Sequence, residues 1–257
     1  MLQKYITEEG QEIVFEPSPK WVRAVLNGKV IADSKQVYLL HPGGPPYYYF
    51  LEEDVRMDFL QPNDHVHHSA VMGDAHYFTV KVGDKTAKNA AWTYPEPVSD
   101  TFDLSGYVAL AWNKMDVWFE EADPVYVHPH DPHHRIDILL STRHIAVVID
   151  DETVAESYNP VLLFETGLPT RYYLPRLDVR MDLIIPSDEV TGCAYKGKAQ
   201  YYSVRVGGHI IPDIAWYYTY PTIEASKVAG MVCFFNEQVD ALYVDGIEQP
   251  KPRTPWS

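Results

Sequence analysis

The sequence predicts a mainly β protein, two tandem β-tent-like domains (an open barrel or sandwich in each) related by internal duplication, and three observations carry that expectation. The pentapeptide Asp54-Val55-Arg56-Met57-Asp58 recurs letter for letter as Asp178-Val179-Arg180-Met181-Asp182. Runs of aromatic and β-branched residues alternate with turn formers along the whole chain. Among 257 residues there are 19 Tyr, 6 Trp and 20 Pro, a mix that suits short strands and turns better than helices.

The repeat extends well beyond the pentapeptide. In the same register Pro62 and Asp64 match Pro186 and Asp188, Gly73-x-Ala75-x-Tyr77 matches Gly197-x-Ala199-x-Tyr201, and Ala91-Trp92-x-Tyr94 matches Ala215-Trp216-x-Tyr218. Gly106-x-Val108 matches Gly230-x-Val232. So many matches at one offset mean duplication. Upstream the offset is one residue shorter, pairing Ala32-x-Ser34 with Ala155-x-Ser157 and Tyr49 with Tyr172, which puts one gained residue between Leu174 and Asp178. The domains then run over 21–120 and 144–246, with an N-terminal arm (1–20), a Pro/His-rich linker (121–143) and a C-terminal tail (247–257).

Each copy reads as strands in order. Val22 to Ile31 has Asn27-Gly28 at its tip, a strong hairpin signal, and Ile145 to Val154 bends at Asp150-Asp151. Tyr77 to Val82 and Tyr201 to Val206 are strand-forming runs that stop at Gly83 and Gly207-Gly208. Tyr107–Leu110 with Val117–Phe119, and Met231–Phe235 with Ala241–Val244, flank polar tips at Asn113-Lys114 and Asn236-Glu237. Helix is limited to short turns near Ser99–Ser105 and Ile223–Ala229. The prolines of the linker hold it extended, and Val125-Tyr126-Val127 predicts a bound strand within it.

Charge and cysteine content exclude several classes of function. A net charge of −15 with no Lys/Arg block repels a phosphate backbone, so no nucleic-acid partner is expected. Two cysteines, Cys193 and Cys233, make neither a disulfide framework nor a four-thiolate metal site. No run approaches 18 apolar residues and Met1 to Gly10 lacks the order of a signal peptide, so no membrane association and a cytoplasmic location are expected.

The pentapeptide, Cys193-x-Tyr195-Lys196-Gly197, Tyr202-Ser203-Val204-Arg205, Ala215-Trp216 and Gly230-x-Val232 with Asp240 form a series. It resembles a bacterial and fungal domain of unknown function, filed under a nucleotidyltransferase-like heading, in its tandem two-copy form. The resemblance covers nearly the whole chain, including Phe164-Glu165-Thr166-Gly167-Leu168-Pro169-Thr170-Arg171-Tyr172-Tyr173. It implies a β-tent fold, related in shape to zinc-binding methionine sulfoxide reductases and to the ligand-binding domain of cereblon. The zinc cysteines of those relatives are missing here, so their metal role does not carry over. The chain also lacks a glycine-rich phosphate loop before a helix and an evident paired-aspartate motif, features a nucleotidyltransferase would need.

Candidate site residues are sought where the copies diverge. Lys196 stands beside a turn glycine and can act as acid or base if buried, or remain a solvated lysine. Cys193 reads as a thiolate activated by Lys196 or as a small core residue. Glu165 occurs only in the second copy, where the first has Pro42. Histidines mark the first copy: His65-x-His67-His68 and His76 replace Glu189-x-Thr191-Gly192 and Gln200. His65 and His67 share a strand face and can serve as acid, base or metal ligand, or as a solvated loop. Lys196, Glu165, His68, His65, His76 and Cys193 are thus the catalytic candidates, and no metal or cofactor is expected.

Arg56 and Arg180 lie between carboxylates and read as structural ion pairs or as pocket residues. Arg171, Tyr172, Tyr201, Tyr49, Trp92 and Trp216 read as walls of an aromatic pocket with polar handles, or as core. The expected function is a cofactor-free enzyme performing dehydration, isomerisation or cyclisation of a partly apolar metabolite. The alternatives are a non-catalytic small-ligand binding module and, third, a nucleotide-handling enzyme. The chain is expected to act as a monomer or a homodimer.

Overall fold

A computed structural model describes residues 2–8, 10–96, 103–255 and 257. The chain divides into two compact units, Met1–Asp131 and Pro132–Ser257. Unit 1 holds β1 (Gln3–Ile6), β2 (Glu12–Pro17), β3 (Val22–Leu26), β4 (Lys29–Ser34), β5 (Tyr38–His41), β6 (Tyr47–Leu51), β7 (Leu60–Ser69), β8 (Gly73–Val82), β9 (Lys85–Thr93), β10 (Tyr107–Leu110), β11 (Val117–Glu120) and β12 (Asp123–Val125). They form an eight-stranded sheet, β1-β2-β5-β6-β10-β9-β8-β7, and a four-stranded sheet, β12-β11-β3-β4.

Local chemistry accounts for the small sheet. On β3 the residues Val22, Ala24 and Leu26 point inward while Arg23 and Val25 are half-exposed, the period of two that a one-sided strand requires. Its hairpin turns on Asn27 (φ 47°) and Gly28 (φ 69°), both in the left-handed region that a two-residue hairpin demands. The large sheet is covered on both faces, so consecutive residues of β6 serve different cores. Tyr48 and Phe50 pack with Val22, Leu26 and Trp118, while Tyr49 joins Phe15, Trp92 and Ala109 on the other side.

Unit 2 repeats this plan. It holds β13 (Ile136–Leu140), β14 (Ile145–Ile149), β15 (Glu152–Ser157), β16 (Val161–Glu165), β17 (Arg171–Leu174), β18 (Ile184–Cys193), β19 (Gly197–Val206), β20 (His209–Tyr217), β21 (Val232–Phe234), β22 (Ala241–Val244) and β23 (Ile247–Glu248). The sheets are β13-β16-β17-β21-β20-β19-β18 and β15-β14-β22-β23. Asp150 (φ 52°) and Asp151 (φ 59°) take the places of Asn27 and Gly28. Ile145, Val147, Phe234 and Leu242 fill one core, and Tyr173, Trp216 and Cys233 fill the other.

Register corrects one sequence expectation. Tyr49 faces Ala109 across the sheet, and Tyr173, not Tyr172, faces the equivalent Cys233. Trp92 Nε1 donates to Tyr49 Oη and Trp216 Nε1 to Tyr173 Oη, both at 3.1 Å. The gained residue therefore lies in the turn between β16 and β17, over 166–170 against 43–46, and not between Leu174 and Asp178. The slip arises because the aromatic run Tyr47-Tyr48-Tyr49-Phe50 lets Tyr172 and Tyr173 be laid on it in more than one register with an aromatic opposite each. In the correct register Arg171 stands where unit 1 has Tyr47.

The arm and linker are parts of the units. Phe15 on β2 faces Leu40 and Ile138 on β13 faces Leu163, so the arm and the second half of the linker are one repeated strand. Past the small sheet, β12 and β23 are also equivalent: Pro124 faces Phe119, and Glu248 faces Tyr243. The proline-rich segments after them, 126–131 and 249–255, thus occupy matching places, although by sequence one falls in the linker and the other in the tail. β10 and β11 do not form a hairpin, because β10 pairs in the large sheet and β11 with β3 in the small one. A 3-10 turn, Trp112–Lys114, carries the chain between the sheets. The short turn expected near Ile223–Ala229 is Ser226–Val228, while that at Ser99–Ser105 falls mostly outside the described residues.

Candidate functional site

In unit 1 the ends of β6, β9 and β10, the 3-10 turn and the segment after β12 enclose a cavity of about 730 Å³. That is within the range of about 300–1,000 Å³ usual for small-molecule sites. Its walls are aromatic. Tyr77 and Tyr47 lie 5.7 and 5.5 Å from Trp92, the first tilted at 31° and the second edge-on at 81°. Across the cavity Trp112 stacks flat on Trp118 at 4.5 Å, and Trp118 Nε1 donates to the Trp112 carbonyl at 3.1 Å.

Burial holds the phenols of Tyr48, Tyr49, Tyr77 and Tyr94 protonated. Burial pushes Tyr94 up to about 12 and Tyr49 well above the ordinary tyrosine value. Burial, and then the Glu120 carboxylate that accepts from its hydroxyl at 2.7 Å, raise Tyr48 as well. Asn89, Asn113, Lys114, His67 and His128 supply the remaining polar lining.

The equivalent place in unit 2 is filled. Arg171, at the position of Tyr47, forms a two-bond fork with Glu237, at the position of Asn113, with distances of 2.7 and 2.6 Å. The side chains are 6% and 0% exposed, so the pair belongs to the interior. Arg171 lies 5.4 Å over Trp216 and 5.9 Å over Phe235, the residue that replaces Ala111. Thr254 Oγ1, from the segment after β23, donates to Glu237 at 2.7 Å. Burial pushes the Glu237 carboxyl up, but the Arg171 fork and the Thr254 hydroxyl outweigh it and leave the group below the ordinary glutamate value. What remains beside Tyr172 and Asn236 is a recess of about 150 Å³.

A second cluster of unit 2 unites two catalytic candidates. Lys196 Nζ donates to both oxygens of Glu165 at 2.6 and 2.5 Å, and His134 Nε2 donates to Glu165 at 3.0 Å. His134 also stacks on Tyr195 at 4.1 Å. The Glu165 side chain is 4% exposed and that of Lys196 11%, so the ammonium is clamped rather than solvated. In unit 1 these positions are Pro42 and Met72, both on the cavity wall.

The other candidates are scattered. Cys193 is a half-buried free thiol at the end of β18, and burial raises the Cys233 thiol to about 12, which makes it inert. His68 is exposed and paired with Asp74 at 2.6 Å, His65 meets the Tyr77 ring edge at 4.7 Å, and His76 is exposed on β8. Arg56 holds Asp58 at 2.8 and 2.7 Å, and Arg180 holds Asp182 at 2.9 and 2.6 Å with Glu152 at 3.0 Å, all on the surface. Tyr201 stacks on Phe235 at 6.4 Å, and Tyr172 is half-buried against the core of Leu174 and Leu242. Sequence reasoning missed Glu237, Phe235 and Thr254. Their signal was that unit 2 gains an acid at the position of Asn113, in the register already found, and a cation at that of Tyr47, which one residue of slip concealed.

The family model described as a domain of unknown function (DUF427) matches residues 14–121 and again 137–245. The two matches begin and end at equivalent residues of the two units, the first starting within β2 and the second within β13. No curated protein matches the chain. The chain belongs to the DUF427 family and carries two tandem copies of its domain.

Proposed function

We propose that unit 1 is a binding site for a small, flat, partly apolar molecule held among Trp92, Tyr77 and Trp112. The observation that carries this reading is the difference between copies: the cavity is open in unit 1 and closed by Phe235 and the Arg171–Glu237 pair in unit 2. Rings of opposed orientation at 5.5–5.7 Å leave both a face and an edge for an aromatic guest. The test is thermal shift of the full chain against naphthalene- and indole-based compounds, with ATP and Mg²⁺ as a control for nucleotide handling. At about 100 times Kd a ligand adds roughly 2.7 kcal/mol of stability. Ala111→Phe, which imports the unit 2 residue, should abolish the shift. A shift given by ATP and Mg²⁺ alone would overturn the reading.

A second reading, an acid–base enzyme of the lyase or isomerase type, has one observation in its favour. Lys196, Glu165 and His134 form a hydrogen-bonded ammonium–carboxylate–imidazole chain, a set able to move a proton to or from a substrate carbon. Lys196→Met, the unit 1 residue, should then abolish turnover of any substrate found while leaving ligand binding in unit 1 intact.

A further inference from the structure

We infer that the ligand of the unit 1 cavity is an aromatic anion, a flat ring bearing a carboxylate, with Lys114 as the group that receives its charge. This inference rests on the binding reading above and names its chemistry.

Charge along the wall carries the argument. The chain has 36 Asp and Glu against 21 Lys and Arg, yet among the described residues no carboxylate lines the cavity, while Lys114, His67 and His128 do. The second copy makes the exclusion specific. At three matching positions unit 2 has Glu165, Asp213 and Glu237, where unit 1 has Pro42, Asn89 and Asn113. Asn89 and Asp213 share the same left-handed backbone, φ 52° in each, so the acid is compatible with the fold at that place and is absent only where the cavity is open. Glu120, behind the wall, is already engaged by Tyr48, Lys20 and the His130 N–H.

Lys114 is placed to use this field. It ends the 3-10 turn Trp112–Lys114, one residue from Asn113 and two from the Trp112 ring that a guest would lie against. Its side chain has no acidic partner among the described residues, whereas Lys20 and Lys85 of the same unit are both paired. A carboxylate at the rim would gain a charge-assisted hydrogen bond from the ammonium and a neutral donor from the Asn113 amide.

The experiment is calorimetric titration of the full chain with 2-naphthoate, 2-naphthamide and 2-naphthylmethylamine, which share a ring and differ in charge. The expected result is that naphthoate binds about tenfold more tightly than the amide, the order of a hydrogen bond to a charged group, and that the amine binds weakest. Lys114→Gln should bring naphthoate and amide to near equality without loss of the amide's affinity. Asn113→Glu should weaken naphthoate and strengthen the amine. Amide binding as tightly as naphthoate, or an unchanged preference in Lys114→Gln, overturns the anion assignment and leaves the aromatic site standing. Absence of binding by all three overturns both.

Discussion

Units 1 and 2 place the same backbone around the same tryptophan, yet one leaves a cavity beside it and the other a buried ion pair. Trp92 and Trp216 each donate to a buried tyrosine at 3.1 Å, so the scaffold beneath is unchanged. Above it, Tyr47, Ala111 and Asn113 become Arg171, Phe235 and Glu237. The fold is thus indifferent to whether this place is empty or full, and what occupies it was free to diverge. An interior fork stabilises a shape but offers no vacant valence, whereas an aromatic hollow lined by the Asn89 and Asn113 amides offers both area and donors.

The largest test of that comparison is to break the fork one residue at a time. Glu237→Ala should destabilise unit 2 by about 3–5 kcal/mol, because it strands a buried guanidinium. Arg171→Tyr with Glu237→Asn, which restores the residues of unit 1, should cost far less than either change alone. Urea unfolding followed by tryptophan fluorescence reads both, and equal losses for single and double variants would mean that the pair does not act as a unit.

Next in size is the reciprocal change. Ala111→Phe in unit 1 should remove ligand binding while altering the unfolding midpoint little, since Ala111 is only partly buried against the Trp92 core and borders the cavity, which has room for the added ring. Retention of binding would show that the guest sits elsewhere.

Acid should separate the units further. Glu237 lies below the ordinary glutamate value of 4.5, so it contributes stability that is complete above that pH and is lost as pH falls through its lower folded value. Unit 2 should therefore lose stability as pH falls below about 4.5 more steeply than Glu237→Gln does, measured by urea midpoints at successively lower pH. Parallel slopes would show that the carboxylate has the same proton affinity folded and unfolded.

Much of this was legible in the sequence, for reasons particular to each feature. The duplication showed because Asp-Val-Arg-Met-Asp sits where Ser34 and Ser157 reach Asp54 and Asp178 at 2.5 and 2.6 Å, a contact both copies retain. Lys196 and Glu165 were identifiable as departures from the first copy, and they meet. The Arg171–Glu237 fork was hidden, since three successive tyrosines let the alignment slide by one and separated Arg171 from its true counterpart, Tyr47, although Glu237 already stood opposite Asn113. The strands β2 and β13 were hidden too: Ile13 to Phe15 and Ile136 to Ile138 share little but their apolar alternation, and only the pairing with Leu40 and Leu163 reveals them as one element.

The smallest expected effect concerns the arginines of the identical pentapeptides. Arg56 and Arg180 are about half-exposed and hold Asp58 and Asp182 two residues away, while Arg180 also reaches Glu152. Such forks are screened by water and salt and hold only their own turn in place. Their backbones do more: the Arg56 N–H donates to Ile31 and the Arg180 N–H to Val154, tying the turn to the small sheet in each unit whatever the side chain. Arg56→Ala and Arg180→Ala should both melt close to the unaltered chain and bind naphthoate as it does, with the Arg180 variant the more salt-sensitive of the two because it gives up a second carboxylate. Loss of ligand binding in Arg56→Ala alone would move the site out of the aromatic cavity and onto the surface turn, and with it the lesson drawn from comparing the two copies.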